Sequence, residues 1–414
     1  MITRETLLQL DATDPLAARR EAFVLPANTI YLDGNSLGAM PRAAAERVRH
    51  TLDHDWSQAL VRSWNAPPSG AGWVDLPQRV GAKIGRLIGA RDGETLACDS
   101  TSVNLFKLLS LALKLRPDRR LILSDRDNFP TDLYMAQGLS ALLGGEHQLR
   151  AVAPDEVEAA IDERVAVVSL SHVNYRNGAL YDMAAITRRA HEAGALMLWD
   201  LAHSAGALPI ALADCDVDLA VGCGYKYFNG GPGAPAYLYV AQRLQPQATS
   251  PLTGWFGHEK PFEFIPAYAP AAGIDRMQVG TPAILSMSAL DAALDIWDGV
   301  DLQQLRAKSI RQCETFVALV EQWMPGVFEV TSPLDSARRG SQVCLRHEQA
   351  WPIMQALIGR GVIGDVRAPD ILRFGFTPLY VSYADVWDAA NTLREIMQHG
   401  EWTQPRFQAR AKVT

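Results

Sequence analysis

The chain has 414 residues, 48% of them hydrophobic and 21% charged, with a formal net charge of −7: ordinary globular composition, long enough for two packed domains. The acidic balance argues against a nucleic-acid or anionic-membrane partner, and the longest apolar runs, such as "VAVVSLS" at 165–171, are strand-length rather than membrane-spanning. Five cysteines, at 98, 215, 223, 313 and 344, lack any C-x-x-C spacing, so neither a disulfide framework nor a zinc site is expected.

The opening stretch, "MITRETLLQLDATDPLAARREAF", is charged throughout and lacks the apolar centre of a secretory signal. Together with the scattered thiols it points to a reducing cytoplasm. Residues 1–30 read as a helical segment expected to pack on the C-terminal part of the chain. From about residue 95, short apolar runs alternate with amphipathic ones. "TLACDS" (95–100) reads as a strand, and "SVNLFKLLSLALKL" (102–115) as a helix with Ser102 as its N-cap. "RLILSD" (120–125) is a strand, "TDLYMAQGLSALL" (131–143) a helix, and "VAVVSLS" a strand again. "MAAITRRAHEAG" (183–194) is helical, followed by the strands "LMLWDLA" (196–202), "DLAVGCG" (218–224) and "AYLYV" (236–240). Strands that are apolar on both faces and alternate with helices predict an α/β fold, a mainly parallel sheet sandwiched by helices. A Pro/Gly/aromatic-rich passage at about 244–282 breaks the rhythm. Residues 31–290 are therefore assigned to a large α/β domain, and 291–414 to a smaller α+β domain.

Ligands of such sheets collect beyond the carboxyl ends of the strands. Thr101 and Ser102, the turn "DNFPTD" (127–132), Ser171 with His172, Asp200 with His203, and Tyr225 with Lys226 stand at five such exits. Lys226 lies between two tyrosines and is followed by Gly230, Gly231 and Gly233. A lysine there is ordinarily a solvated surface charge, but burial would free its amine as a nucleophile for a carbonyl. Asp200 is then suited to hold a pyridine nitrogen protonated, where otherwise it would only end a strand. Thr101 and Ser102 open a helix, whose free amides favour a phosphate. Phe129 could stack on a ring or simply fill the core. Two further readings are weaker. Gly222-x-Gly224 is followed by Tyr227 where a dinucleotide fingerprint needs glycine. Asp200-x-x-His203, with His172, supplies a catalytic metal's ligands only under a fixed geometry that a strand exit does not provide.

Taken together, "YLDGNSLG" (31–38), "DNFPTD" (127–132), "WDLAHSAG" (199–206), "GYKYFNGGPGAP" (224–235) and "GWFGHEKPFEF" (254–264) resemble the kynureninase family. The likeness runs from about residue 30 to "ILRFGFTPLY" at 371–380. Kynureninases are class V-like, fold-type I enzymes with a seven-stranded-type sheet, dependent on pyridoxal 5′-phosphate. They hydrolyse the Cβ–Cγ bond of L-kynurenine to anthranilate and L-alanine in tryptophan catabolism. The resemblance implies that Lys226 carries the cofactor, Asp200 partners the pyridine nitrogen and Phe129 stacks on the ring, with Asp132 nearby. It further implies that Thr101, Ser102 and Tyr225 hold the phosphate, that Ser171 and His203 complete the surround, and that Tyr225 assists as general acid or base. In this family the site lies at a homodimer interface, so Trp255 and Thr281 are expected from the neighbouring subunit, while Arg373 clamps the substrate α-carboxylate. Trp64 and Thr281 stand where animal members carry His and Asn, residues associated with the 3-hydroxylated substrate, which implies plain L-kynurenine here. Cysteine desulfurases, selenocysteine lyases and class V aminotransferases share the fold and are the alternatives. A desulfurase needs a mobile, exposed cysteine, and Cys344 in the apolar run "QVCLRH" is badly placed for that.

Overall fold

The computed structural model describes residues 2–411. Its centre is a sheet of seven strands: β1 (Thr95–Ala97), β2 (Leu121–Asp125), β3 (Gln148–Val152), β4 (Val165–Ser171), β5 (Leu196–Asp200), β6 (Leu219–Cys223) and β7 (Ala236–Val240). Their order across the sheet is β1-β7-β6-β5-β4-β2-β3. The neighbours from β6 to β3 are parallel, whereas β7 runs antiparallel to both β6 and β1. The mainly parallel sheet expected from the sequence is therefore present. Every residue of β4, β5, β6 and β7 is buried, the pattern of strands covered on both faces. β3 was not anticipated, because an edge strand needs no continuous apolar run; of "QLRAV" only Val152 is buried.

Helices cover both faces. The helix Thr101–Leu115 buries Leu105, Leu108, Leu109 and Ala112 against the sheet, each leucine contributing roughly 1.5–3 kcal/mol before entropy is counted. Its N-cap is Ser100, whose hydroxyl accepts the amide of Val103 at 3.4 Å, not Ser102. Strand β1 ends at Ala97, so the chain has room for an extended residue at position 100 before the helix opens. The helix Pro130–Leu142 begins on a proline, which has no amide hydrogen to leave unpaired there.

The C-terminal part holds a four-stranded antiparallel sheet made of β8 (Glu329–Val330), β9 (Gln342–Arg346), β10 (Asp365–Arg367) and β11 (Ile371–Gly375), in the order β8-β9-β11-β10. The N-terminal helix Arg4–Ala12 lies on the helix Tyr383–His399. Arg4 grips Asp388 with two bonds of 2.8 and 2.9 Å, and Asp11 accepts the amides of Tyr383 and Ala384 at 2.7 and 2.9 Å. Farther on, Ile30–Tyr31 pairs in parallel with Val362–Ile363. "YLDGNSLG" then reaches the lysine turn, where the Gly38 amide donates to the Tyr225 carbonyl at 2.8 Å. A Cβ on Gly38 would fall 2.2 Å from the Lys226 carbonyl oxygen, so no other residue fits without displacing that turn.

Candidate active site

The strand exits converge on a cavity of about 670 Å³. Thr101 and Ser102 reach it from the exit of β1, Phe129 and Asp132 from β2, Asp200 and His203 from β5, and Tyr225 and Lys226 from β6. Thr281 stands on the wall of its own chain's cavity. Lys226 is buried, and its Nζ lies 2.9 Å from His203 Nε2 and 5.8 Å from the ring centroids of both Phe129 and Tyr225. Burial first, and then the charge of Lys226, hold His203 well below the usual imidazole range. The imidazole is therefore neutral at pH 7, with its Nε2 within hydrogen-bond distance of Lys226 Nζ. Its other nitrogen, Nδ1, is buried without a partner.

Asp200 ends β5 and accepts the Ala202 amide at 2.7 Å. Burial raises its carboxyl, opposed by the charge of Lys226. Asp132 is more isolated. Both of its oxygens are buried without a hydrogen-bond partner, and burial, reinforced by the charge of Asp200, lifts its carboxyl well above the usual range. The neighbouring Cys223 thiol and burial raise the Tyr225 phenol, which therefore stays protonated and can donate. Across the cavity, Thr101 and Ser102 are the first two residues of their helix. Their amides have no intrahelical acceptor and sit at the positive end of the helix dipole.

Buried polar groups are normally satisfied. Here Asp132 and His203 carry unmet atoms in one cavity, with an amine at its centre and free amides at its far side. That donor set fits a phosphorylated aromatic aldehyde: amides for the anion, an amine for the carbonyl, and a carboxylate for a ring nitrogen. It does not suit a metal, and among the described residues no trio of His, Cys, Asp or Glu side chains is placed to hold one. Nor does it suit sulfur transfer. Cys344 is fully buried, and burial pushes its thiol up to about 11. Cys98, on the cavity wall, is likewise pushed up to about 11 by burial, with Lys107 Nζ at 3.4 Å from its sulfur. Neither is an exposed thiolate.

Four of the expected residues lie off the wall. Ser171 is buried at the end of β4 beside Asp200, its register partner. Trp64 is half-buried, edge-on to Trp73 at 5.7 Å and 6.1 Å from Phe256, which in turn meets Trp255 at 4.7 Å. Trp64 and Trp255 thus belong to one aromatic cluster. Arg373, on β11, is wholly buried and closed on Asp365 and Ser36. Asp365 was not foreseen. Its signal in the sequence was only a charged residue in the short strand "DVR", which any edge strand could carry. Gln278, buried on the cavity wall, was likewise missed inside the Pro/Gly-rich passage.

No helix among the described residues is long and apolar enough to cross a membrane. Residues 305–393 match the model of the kynureninase C-terminal domain. Over 420 residues, all of both chains, the protein is 50% identical to a kynureninase of Burkholderia pseudomallei, and over 421 residues it is 48% identical to one of Pseudomonas fluorescens, again with full coverage. Solved structures share the fold at lower identity. A cysteine desulfurase of Thermococcus onnurineus superposes with a TM-score of 0.77 at 18% identity, covering 92% of this chain and 98% of that one. One from Escherichia coli gives 0.74 at 18%, covering 93% and 98%. With half of its residues shared along its whole length, the chain belongs to the kynureninase family.

Proposed function

We infer that the protein hydrolyses the Cβ–Cγ bond of L-kynurenine, yielding anthranilate and L-alanine, with pyridoxal 5′-phosphate in the cavity at the strand exits. The observation that carries the reading is the buried Lys226 amine, 2.9 Å from a neutral His203 and sharing its cavity with Asp200 and the free amides of Thr101 and Ser102. When bound, the cofactor supplies an aldehyde for amines and a ring that accepts the negative charge developing at the substrate Cα.

The protein's own groups do the rest. Thr101 and Ser102 hold the phosphate by their amides and hydroxyls. Asp200 would keep the ring nitrogen protonated, and Phe129, on the same cavity wall, would stack on the ring. Lys226, as a free amine beside the bound substrate, would remove the Cα proton as a base, with His203 Nε2 within hydrogen-bond reach of it. Asp132 and Ser171 complete the surround. The Tyr225 phenol, kept protonated, donates toward the γ-ketone as water adds there. The Cβ–Cγ bond then breaks, anthranilate leaves, and Cβ takes up a proton to give alanine. Arg373 holds the α-carboxylate, remote from the bond that breaks. Trp64 and Thr281, lacking the His and Asn of animal members, leave the site to plain L-kynurenine.

We also infer a cytoplasmic homodimer, in which Trp255 reaches the neighbouring site, and Thr281, which lines the cavity of its own chain, lies close enough to the interface to reach it as well. Supporting this are two groups of exposed apolar side chains, Trp255 with Phe262 and Phe264 and, on a separate groove, Met40 with Leu285, more than isolated surface residues explain. Light scattering should give the mass of two chains, and a monomer would remove that part of the reading. The decisive assay follows anthranilate fluorescence with L-kynurenine and with its 3-hydroxylated form, beside alanine release from L-cysteine. Anthranilate with little turnover of the hydroxylated form is expected. Alanine from cysteine alone would establish a desulfurase instead. Borohydride reduction followed by peptide mapping should place the pyridoxyl group on Lys226.

A further inference from the structure

Arg373 sits on β11 directly opposite Asp365 on β10, its register partner. Its guanidinium is wholly buried, and its hydrogens can be accounted for one by one. Nε donates to Asp365 Oδ1 at 2.7 Å, and Nη2 to Asp365 Oδ2 at 2.5 Å, so the side fork is closed on one carboxylate. The second Nη2 hydrogen goes to Ser36 Oγ at 2.6 Å, and one Nη1 hydrogen goes to the Tyr175 carbonyl at 2.8 Å. A single N–H, on Nη1, remains uncommitted. Asp365 is held in turn, accepting from Ser36 Oγ at 2.8 Å and pairing with Arg367 at 2.7 Å.

Tyr175, whose carbonyl takes the other Nη1 hydrogen, meets Phe129 of the cavity wall edge-on with ring centroids 5.1 Å apart. The Arg373 charge also contributes to keeping His203 neutral. Ser36 lies two residues before Gly38, the glycine pressed against the lysine turn.

We propose that Asp365, assisted by Ser36, is the positioning residue of Arg373: it occupies the side fork, so that the substrate α-carboxylate meets the guanidinium end-on at Nη1. Asp365 thereby governs affinity for amino acids and not the bond-breaking step. The proposal rests on the reading that Arg373 binds the α-carboxylate.

The test uses the holoenzyme and Asp365→Asn, which keeps the shape but turns an amide donor toward one arm of the fork. Loss of a charge-assisted bond corresponds to about tenfold or more in affinity. The KM for L-kynurenine should rise by about that factor while kcat stays within about threefold. Inhibition by L-alanine should weaken in proportion, whereas inhibition by L-alaninamide, which lacks the carboxylate, should not. In an Arg373→Ala background, Asp365→Asn should raise KM no further. A fall in kcat at unchanged KM, or equal effects on alanine and alaninamide, would overturn the proposal. Should Asp365→Asn fail to fold, Ser36→Ala decides: a rise in KM of about two- to threefold supports the proposal, and an unmoved KM overturns it. A wild-type protein that releases no anthranilate would remove the assigned reaction and this proposal together. A working wild type with unmoved KM values removes the proposal alone.

Discussion

Asp132 and Asp365 are both buried aspartates, 3% and 5% exposed, yet their surroundings are opposite. Asp365 is ringed by Arg373, Arg367 and Ser36. Burial alone would raise its carboxyl, but those cations and hydrogen bonds bring it below the ordinary range. Around Asp132 only the Lys226 charge and Asn128 oppose burial, and burial together with the charge of Asp200 carries its carboxyl the other way. The first is closed in by charged partners, whereas the second stands on the cavity wall beside a like charge. Polar groups left unmet in a cavity mark a place made for a ligand, and saturated ones mark the frame that holds it.

Lys226→Ala should produce the largest effect, a loss of kynurenine turnover of at least about 10³-fold, with melting behaviour nearly unchanged. Stopped assays with anthranilate fluorescence would show it, and retained turnover would remove the amine from the site. Next comes Arg373→Ala, which strips the saturated cluster of its centre. Asp365 would keep Arg367 as its only close cation, and breaking a buried pair typically costs about 3–5 kcal/mol. Urea denaturation should therefore show a lower midpoint along with weaker substrate binding; an unchanged midpoint would mean that the cluster is not a frame.

Asp132→Asn should move stability the other way. Because burial raises the Asp132 carboxyl, the unfolded chain ionises at lower pH than the folded one. Stability is then fully present below the unfolded carboxyl's range, near pH ~4, and is lost as pH rises toward the folded value. The variant should be more stable than wild type at pH 8 by about 0.5–2 kcal/mol, the gap closing near pH ~4, while turnover falls. A gap that widens toward acid pH would reverse the assignment. The smallest effect is expected for Ser100→Ala, about 1 kcal/mol for a lost helix cap. Ser102→Ala should change stability by less than half of that and weaken cofactor binding more. Equal melting of the two variants would contradict the capping geometry.

Much of the molecule is written locally. Continuous apolar runs such as "VAVVSLS" and "LMLWD", of strand length and set between helical stretches, read as strands buried on both faces. A lysine fenced by tyrosines and glycines at a strand exit is equally visible, since backbone crowding around an amine is a property of neighbouring residues. Other features depend on partners distant in sequence. β3 is strand because β2 offers it an edge, and Gln148–Leu149–Arg150 carries no pattern of its own. Which serine caps the helix turns on where β1 stops, a difference of two residues that propensity cannot resolve.

Composition, periodicity and motif spacing thus determined the buried strands of the sheet and the lysine turn, which follow from contacts within a few residues or from side-chain type. Tertiary packing decided the rest. It brought Asp365 and Ser36, 8 and 337 positions away in the chain, onto the guanidinium of Arg373, and it set Trp64 and Trp255 in one aromatic cluster apart from the wall. The physical reason is that a buried charge is defined by what surrounds it in space, and that surrounding is assembled only when the chain folds.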